Sequence, residues 1–395
     1  MKEKDRIDKI VKALEPELKE LSHKIHDNPE IGMEEFKACA WQVELIKKHG
    51  FEVEENFCGM PTAYRASYKG SKPGPKIALI SEYDALPEIG HACGHNIICM
   101  IGVGAGLGLK EFADEYGGTI YIYGTPAEES HGGKLPMVAQ GMFDDIDAAL
   151  EVHPACTHTD AWSSSALDAM DIEFFGRASH AAMSPEGGIN ALDAMILLFN
   201  AVGLMRQQTK DDIRIHGVIQ NGGNTPGIIP EYTKAQFWAR ANRMKDVKET
   251  LARIDAAAQG AATATGCTVK CTYLPGAYKD TISNQTLSKR AAGYVEEQGY
   301  KLKWYNGANA PGASDLGDVS YVCPSIQLIC GIGGPSPDGT EFGLHTHFLE
   351  ECAGTDKAMD IALDYVKAMI ATGVDMLTEP EFVAAIKEEF SLADK

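Results

Sequence analysis

The sequence predicts an α/β protein in which a mainly parallel sheet has helices on both faces and is interrupted by an inserted ferredoxin-like α+β domain. Three observations predict this fold. Short apolar segments alternate with helical segments in the first 150 residues, which favours parallel strands joined by helices. The segment from about 166 to 279 has the order β-α-β-β-α-β instead. After residue 280 the helix–strand alternation resumes, so the predicted domains are 1–165 with 280–395, and 166–279.

The first half of the larger domain is predicted from apolar periodicity and turn residues. Its elements are two amphipathic helices (7–26 and 33–49), three buried strands (76–81, 119–123 and 148–152) and a helix of small residues between the first two strands (97–115).

The inserted domain and the C-terminal part follow the same periodicity arguments. The predicted elements of the insert are strands 168–175, 214–219, 233–241 and 268–274 and helices 189–208 and 245–262. The C-terminal part contains helices 285–298 and 353–376, a Gly/Ser loop at 307–318 and a strand at 325–330.

Composition narrows the classes of partner. With 36 Lys and Arg against 56 Asp and Glu, the formal net charge of −20 argues against nucleic acid or an anionic membrane, since both require clustered basic residues. The N-terminus is charged and helix-like, and the longest apolar stretch, Ile97–Leu109, is too short to span a bilayer. Ten cysteines without a framework spacing are typical of reduced thiols. We therefore expect a cytoplasmic protein that acts on a small molecule.

Polar residues follow the predicted strands of the larger domain. Asp84 comes after the first strand, Glu128 and Glu129 after the second, and His153 after the third. Ligands of open α/β sheets bind beyond the carboxyl ends of the strands. We therefore expect these four side chains to converge on one edge of the sheet.

Two motifs contain typical metal ligands. Cys93 and His95 lie two residues apart in Gly90-His-Ala-Cys-Gly-His-Asn96, and thiolate and imidazole together suit zinc or a related metal. The segment Gly343-Leu-His-Thr-His347 offers two further imidazoles. Each motif alone also fits an ordinary polar loop, because a Cys–His pair is only half a zinc site.

The adjacent carboxylates Glu128 and Glu129 repel each other unless a cation or a shared proton intervenes, although most such pairs are exposed turns. A single His153 at a strand end is more often structural. Taken together, however, one thiolate, three imidazoles and two carboxylates exceed the four ligands of a structural zinc. This set predicts a two-metal hydrolytic centre.

The order of these motifs resembles the aminoacylase/glutamate-carboxypeptidase family of two-metal peptidases, in its amidohydrolase branch. The matching segments are His26-x-x-Pro29-Glu30, Asp84-Ala-Leu-Pro87, His91-Ala-Cys-Gly-His-Asn96, Pro126-Ala-Glu-Glu129, Glu151-Val-His-Pro154, Ser179-His-Ala181 and His345-Thr346. The Cys-Gly-His-Asn ending is similar to the aminobenzoyl-glutamate hydrolase and β-alanyl dipeptidase side of that branch. The resemblance covers essentially the whole chain.

The resemblance implies a role for each matching residue. The implied ligands of two divalent metal ions (Zn, Mn, Co or Ni) are Cys93, His95, Glu129, His153 and His345. Glu128 matches the general acid/base, and Asp84 matches a carboxylate that orients a ligand histidine. His180 matches a histidine that stabilises the oxyanion in the partner subunit, so a homodimer is expected. Arg240 matches an arginine that binds the substrate carboxylate.

Two segments depart from the family pattern. Gly227 stands where family members usually have Asn before Ile-Ile-Pro, and the nearest candidate for that contact to the substrate is Asn224. Ala313-Ser314-Asp315 replaces the commoner Ser-Thr-Asp.

The predicted reaction is metal-dependent hydrolysis of the amide bond of N-acyl amino acids or small peptide-like conjugates, with Glu128 moving the proton of an activated water molecule. Two alternatives remain. One is an exopeptidase that cleaves free dipeptides, including β-alanyl dipeptides. The other, of a different class, is a catalytically silent binding protein that metal ions stabilise.

Overall fold

A computed structural model describes residues 1, 3–310, 312–337, 339–393 and 395. The chain forms two compact units. The first comprises Met1–Ser163, Thr281–Ala310 and Ser314–Lys395, and the second comprises Ser164–Asp280 with residues 312–313.

The N-terminal part of the first unit begins with two helices and continues with strands that alternate with helices. The elements are α1 (Lys4–His26), α2 (Phe36–Lys48), β1 (Glu52–Glu55), β2 (Tyr64–Lys69), β3 (Lys76–Ser81), α3 (His95–Tyr116), β4 (Thr119–Gly124), α4 (Lys134–Ala139) and β5 (Ala148–Ala155).

The second unit has the predicted β-α-β-β-α-β order. Its elements are β6 (Ala166–Phe175), α5 (Ala191–Met205), β7 (Arg214–Asn221), β8 (Tyr232–Ala241), α6 (Met244–Thr265) and β9 (Thr268–Tyr273). The four strands pair antiparallel in the order β7-β8-β6-β9, so the first and third strands of the unit are central and β7 and β9 are the edges. This arrangement is the ferredoxin-like fold that the sequence predicted.

The C-terminal part of the first unit adds, among its described residues, one strand and five helices. They are α7 (Gln285–Glu297), α8 (Leu316–Ser320), β10 (Ser325–Gly331), α9 (His347–Ala353), α10 (Asp356–Thr378) and α11 (Pro380–Leu392).

The sheet of the first unit has the order β1-β2-β4-β3-β5-β10. The four strands from β4 to β10 are parallel, while β2 and β1 continue the sheet in antiparallel orientation. The mainly parallel sheet is thus confirmed, with an antiparallel edge that the sequence did not indicate.

Alternate residues of β3 face opposite layers, as the period of a strand requires. Ile77 and Leu79 pack in the core formed with α1, α3 and α10, whereas Ala78 and Ile80 pack in the core formed with α4 and α8. Helices therefore cover both faces, in agreement with the predicted fold class.

Helix α3 lies at the centre of the larger core. A Cβ atom at Gly102 would lie 2.3 Å from the carbonyl oxygen of Ile80, so glycine lets the helix approach the backbone of β3. The helix has the length and apolar composition of a membrane span, but nearly all of its apolar window is buried within the structure. Core helices at the centre of a fold pass the same test, so we treat α3 as a core helix.

One predicted helix was wrong in its bounds. The segment 353–376 is interrupted after Ala353, and α10 begins at Asp356 because the side chain of Thr355 accepts a hydrogen bond from the backbone N–H of Ala358. A threonine at this position is a strong helix start signal.

Candidate metal centre

The candidate centre lies at the carboxyl ends of three neighbouring parallel strands, β4, β3 and β5. Asp84 follows β3, Glu128 and Glu129 follow β4, and His153 lies near the end of β5. The convergence that the sequence predicted is therefore present in the structure. It follows from the parallel register, which aligns these strand ends at one edge.

The loop before α3 brings Cys93 to this edge. Gly94 has φ 72°, and a Cβ atom there would lie 2.5 Å from Cγ of Pro154, so only glycine allows the loop to lie against the end of β5. As a result, the Cys93 Sγ is 3.4 Å from Nε2 of His153. His95 is the first residue of α3 and is fully buried.

His345 reaches the centre from the loop before α9. Its backbone N–H donates to the carbonyl of Ala92 at 3.0 Å, which attaches this loop to the Cys93 loop. Its Nε2 lies 3.0 Å from Oε1 of Glu129. His347 is instead the first residue of α9 and belongs to none of the potential metal-binding groups among the described residues.

Hydrogen bonds point the free imidazole nitrogens of His95 and His153 into the centre. Nδ1 of His95 pairs with Oδ1 of Asp84 at 2.9 Å, and Nδ1 of His153 pairs with the carbonyl of Pro154 at 2.7 Å. A carbonyl can only accept, and an ionised carboxylate can only accept, so both Nδ1 atoms carry the proton and both Nε2 atoms present a lone pair. The other oxygen of Asp84 accepts from the backbone N–H of Glu129 at 3.0 Å.

The donor set fits a pair of metal ions. Ligand atoms lie within 4.8 Å of one another in two groups, Cys93 with His95 and His153, and Cys93 with Glu129 and His345. The two groups share Cys93 and together contain the five predicted ligands. In addition, Nε2 of His95 is buried and has no hydrogen-bond partner among the described residues, which is unfavourable unless a cation binds there. Thiolate, imidazole and carboxylate together suit Zn²⁺ and its first-row neighbours.

Burial and neighbouring charges separate the two adjacent glutamates. Burial raises the pKa of Glu128 well above its usual range, and the charges of Glu82 and Glu129 add to this effect. Burial acts in the same direction on Glu129, but the hydrogen bond with His345 and the charge of His95 lower its pKa to about 2. Glu129 is thus suited to bind a cation, and Glu128 is suited to hold a proton.

The thiol and the imidazoles respond in the way expected of buried ligands. Burial raises the pKa of Cys93 well above its usual range, with Glu129 as a further cause, so a thiolate there needs a cation. Burial lowers the pKa of His153 to about 4, which keeps its imidazole neutral at physiological pH.

Sequence reasoning assigned no role to three buried charged residues beside this centre: Glu82, Lys134 and Asp315. Lys134 Nζ is 2.6 Å from Oδ1 of Asp315 and also binds Oε1 of Glu82. Glu82 could have been suspected, since it stands two residues before Asp84 at the same strand end. Lys134 follows two glycines in a polar segment, which is typical of an exposed residue.

A fourth missed residue supports the turn that carries the two glutamates. Glu35 is fully buried and accepts from the backbone N–H of Ala127 at 2.8 Å and from the hydroxyl of Thr62 at 2.9 Å. Ala127 has φ 61°, a conformation that costs energy for a residue other than glycine. Glu35 therefore compensates for the strained backbone immediately before Glu128.

The remaining predicted site residues, His180, Arg240 and Asn224, belong to the second unit. Nδ1 of His180 accepts from the backbone N–H groups of Ala182 and Met183, both at 3.2 Å, so its Nε2 carries the proton and is a donor. Arg240 lies on β8 directly opposite Arg214 of β7, and Asn224 is exposed in the segment between these strands. Their roles toward a substrate stay predictions.

A parallel sheet whose edge presents a shared thiolate, oriented imidazoles and one carboxylate that retains a proton defines a metal-dependent hydrolase. The chain belongs to the peptidase family M20/M25/M40, whose model matches residues 78–372. It is accordingly a hydrolase of peptide-like C–N bonds.

Similar proteins include enzymes of both predicted substrate types. The chain is 33% identical to the Xaa-Arg dipeptidase of Mus musculus over 98% of this chain and 90% of that protein. It is 33% identical to one of the two subunits of the p-aminobenzoyl-glutamate hydrolase of Escherichia coli K12 over 71% of this chain and 64% of that protein.

A crystal structure of similar fold comes from Bacillus subtilis and is described as a dinuclear metal binding peptidase from the M20 family. It superposes with a TM-score of 0.70 at 18% identity and covers 92% of this chain and 99% of that chain. At this identity the likeness concerns the fold.

Cys93→Ser should weaken metal binding by at least ~10-fold, because the hydroxyl of serine is a harder and poorer ligand than a thiolate shared by two groups. The measurement is metal per subunit after dialysis, with chelator competition for affinity. Cys271→Ser, on β9 of the second unit, is the matched control and should bind metal as the unchanged protein does. Unchanged metal content and affinity in Cys93→Ser would show that Cys93 is no ligand.

Proposed function

We propose that this protein uses two divalent metal ions to hydrolyse the amide bond of N-acyl amino acids or small peptide-like conjugates that carry a carboxylate. The observation that carries the proposal is the pair of ligand groups sharing Cys93, with Glu128 beside them. When bound, such ions polarise a scissile carbonyl and lower the pKa of a water molecule.

Glu128 is the proposed proton carrier. Its carboxyl is buried next to Glu82 and Glu129, which favours the protonated form, while positive charge at the ligand groups favours the ionised form. A carboxyl balanced in this way can accept a proton from the attacking water molecule and deliver it to the leaving amine. Asp84 supports the reaction by holding both His95 and the backbone of Glu129 in place.

Arg240 is the proposed recognition residue for the substrate carboxylate. Its place opposite Arg214 on neighbouring strands puts two like charges together, an unfavourable pair that a bound anion would stabilise. Within the described part of the chain Arg240 has no acidic partner, which argues against a structural ion pair for it. The planar guanidinium is suited to bind a carboxylate through two hydrogen bonds.

Cleavage of free dipeptides is the second candidate function. The specific observation that favours it is the 33% identity with the mouse Xaa-Arg dipeptidase, which extends over 98% of this chain. The ligand groups and Glu128 would serve both reactions, because both break an amide next to a carboxylate-bearing residue. The two functions differ in whether the substrate has a free amino group.

We further propose that the second unit forms a homodimer through α5 and the edge strand β7. Leu197 and Leu204 lie two turns apart on α5 and are 42% and 76% exposed, and Val218 and Ile219 on β7 are 57% and 41% exposed. An edge strand with unpaired backbone groups beside apolar side chains favours pairing with a second copy.

Glu128→Gln should retain both metal equivalents and lose roughly 10²–10⁴-fold in kcat, because the amide removes only the proton carrier. Metal analysis and turnover on the same sample provide the measurement. A kcat within about tenfold of the original would contradict the role of Glu128.

The substrate class is decided by turnover on a panel of N-acyl amino acids and free dipeptides, including β-alanyl dipeptides, with Mn²⁺ or Zn²⁺ added. We expect hydrolysis of carboxylate-bearing amides, abolished in Glu128→Gln. Turnover confined to free dipeptides would establish the second candidate. No turnover by a metal-loaded protein would contradict both and support a silent binding protein.

Leu204→Lys combined with Val218→Lys should convert the dimer to a monomer, because two charges would be buried in an apolar interface. Sedimentation velocity gives the mass. Leu392→Lys, at an exposed leucine of α11, is the matched control and should leave the mass unchanged. A monomeric unchanged protein would refute the proposed dimer.

A further inference from the structure

Lys134 is a lysine in an unusual environment. It is the first residue of α4, its exposed fraction is 0%, and it ranks among the largest fully buried side chains of the chain. Lysine is almost never fully buried unless an opposite charge compensates for the loss of water. Its burial therefore needs a reason in the surrounding charges.

Two carboxylates bind the ammonium group. Nζ donates to Oε1 of Glu82 and to Oδ1 of Asp315, at 2.6 Å in the latter case, and both carboxylates have fully buried side chains. Burial would lower the pKa of Lys134, but Asp315 and Glu82 raise it well above its usual range. Lys134 is thus a permanent cation inside the protein.

The position of this cation resembles that of a metal ion. Oxygen atoms of Glu82, Glu128 and Asp315 lie within 4.8 Å of one another, a spacing at which three carboxylates can hold a divalent ion. The ammonium already binds two of these three carboxylates. A cluster that would otherwise attract a metal ion is neutralised by the chain itself.

Lys134 also connects this cluster to the metal centre. It holds Glu82 by one oxygen, while the other, Oε2, has no hydrogen-bond partner among the described residues and lies 3.5 Å from the likewise unpartnered Nε2 of His95. The backbone N–H of Lys134 donates to Oδ2 of Asp315 at 2.9 Å. The turn with Glu128 and Glu129 is therefore fixed at one end by Asp315 and at the other by Glu35.

We propose that Lys134 is a positioning residue whose ammonium takes the place of a third metal ion beside Glu128, confines metal binding to the two groups that share Cys93, and fixes the turn that carries both glutamates. This inference rests on the proposed function for its catalytic consequence. Its consequence for metal binding does not depend on any substrate.

The test compares Lys134→Met, which keeps the length of the side chain but removes its charge, with Lys134→Arg, which keeps the charge. Lys110→Met is the matched control, since the Lys110 ammonium binds the backbone carbonyl of His49 and no carboxylate among the described residues. Metal per subunit is counted after equilibration with Mn²⁺, and kcat and KM are measured separately.

Lys134→Met should bind one more equivalent of Mn²⁺ than the unchanged protein and lose roughly 10–100-fold in kcat with little change in KM, as expected for a group that acts through its neighbours. Lys134→Arg should bind the original number of ions and recover most of the lost kcat. Lys110→Met should match the unchanged protein in both respects.

The original metal count together with an unchanged kcat in Lys134→Met would overturn the proposal. If circular dichroism shows that this variant is unfolded, Lys134→Met combined with Asp315→Asn removes one buried charge of each sign, and the same gain of metal and loss of kcat are expected. Because metal counting needs no substrate, failure of the proposed function leaves this test intact.

Discussion

The pairing of buried carboxylates with cations is the interaction on which the centre of this protein depends. Glu82, Asp84, Asp315 and Glu151 are buried within one region, and Glu128 is nearly so. Such a group of carboxylates cannot remain ionised in a low-dielectric interior without positive charge nearby. Lys134 supplies part of that charge permanently, and the ligand groups around Cys93 are arranged to take up the rest as divalent ions.

The parallel sheet explains why these residues meet although they are distant in sequence. Strands β4, β3 and β5 end at one edge, so Glu129, Asp84 and His153 are neighbours in space. The loops that bring Cys93 and His345 to the same edge are joined to each other by one backbone hydrogen bond at Ala92. Rigid strands and short loops fix the distances between ligand atoms, as a centre of this kind requires.

The strand-end rule was sufficient to predict Asp84, Glu128 and His153, because an apolar run that leads into acidic residues or histidine is typical of a strand end that faces a ligand. Lys134 could not be predicted, since its burial depends on Glu82 and Asp315, which are 52 and 181 residues away in sequence. The contact of Glu35 with Ala127 spans 92 residues and is equally invisible to local patterns. Strand β1, with the sequence Glu-Val-Glu-Glu, lacks the apolar character that indicates a buried strand. Local patterns thus predicted the elements and their ends, while the ion pairs between distant segments required the fold.

Anomalous diffraction from crystals grown with Mn²⁺ or Zn²⁺ tests most directly whether two divalent ions bind at the two ligand groups that share Cys93. We expect two peaks about 3.5–4 Å apart, one beside His95 and His153 and the other beside Glu129 and His345, with none between Glu82 and Asp315. A single peak, or a peak at the position of the Lys134 ammonium, would contradict the two-metal centre described above.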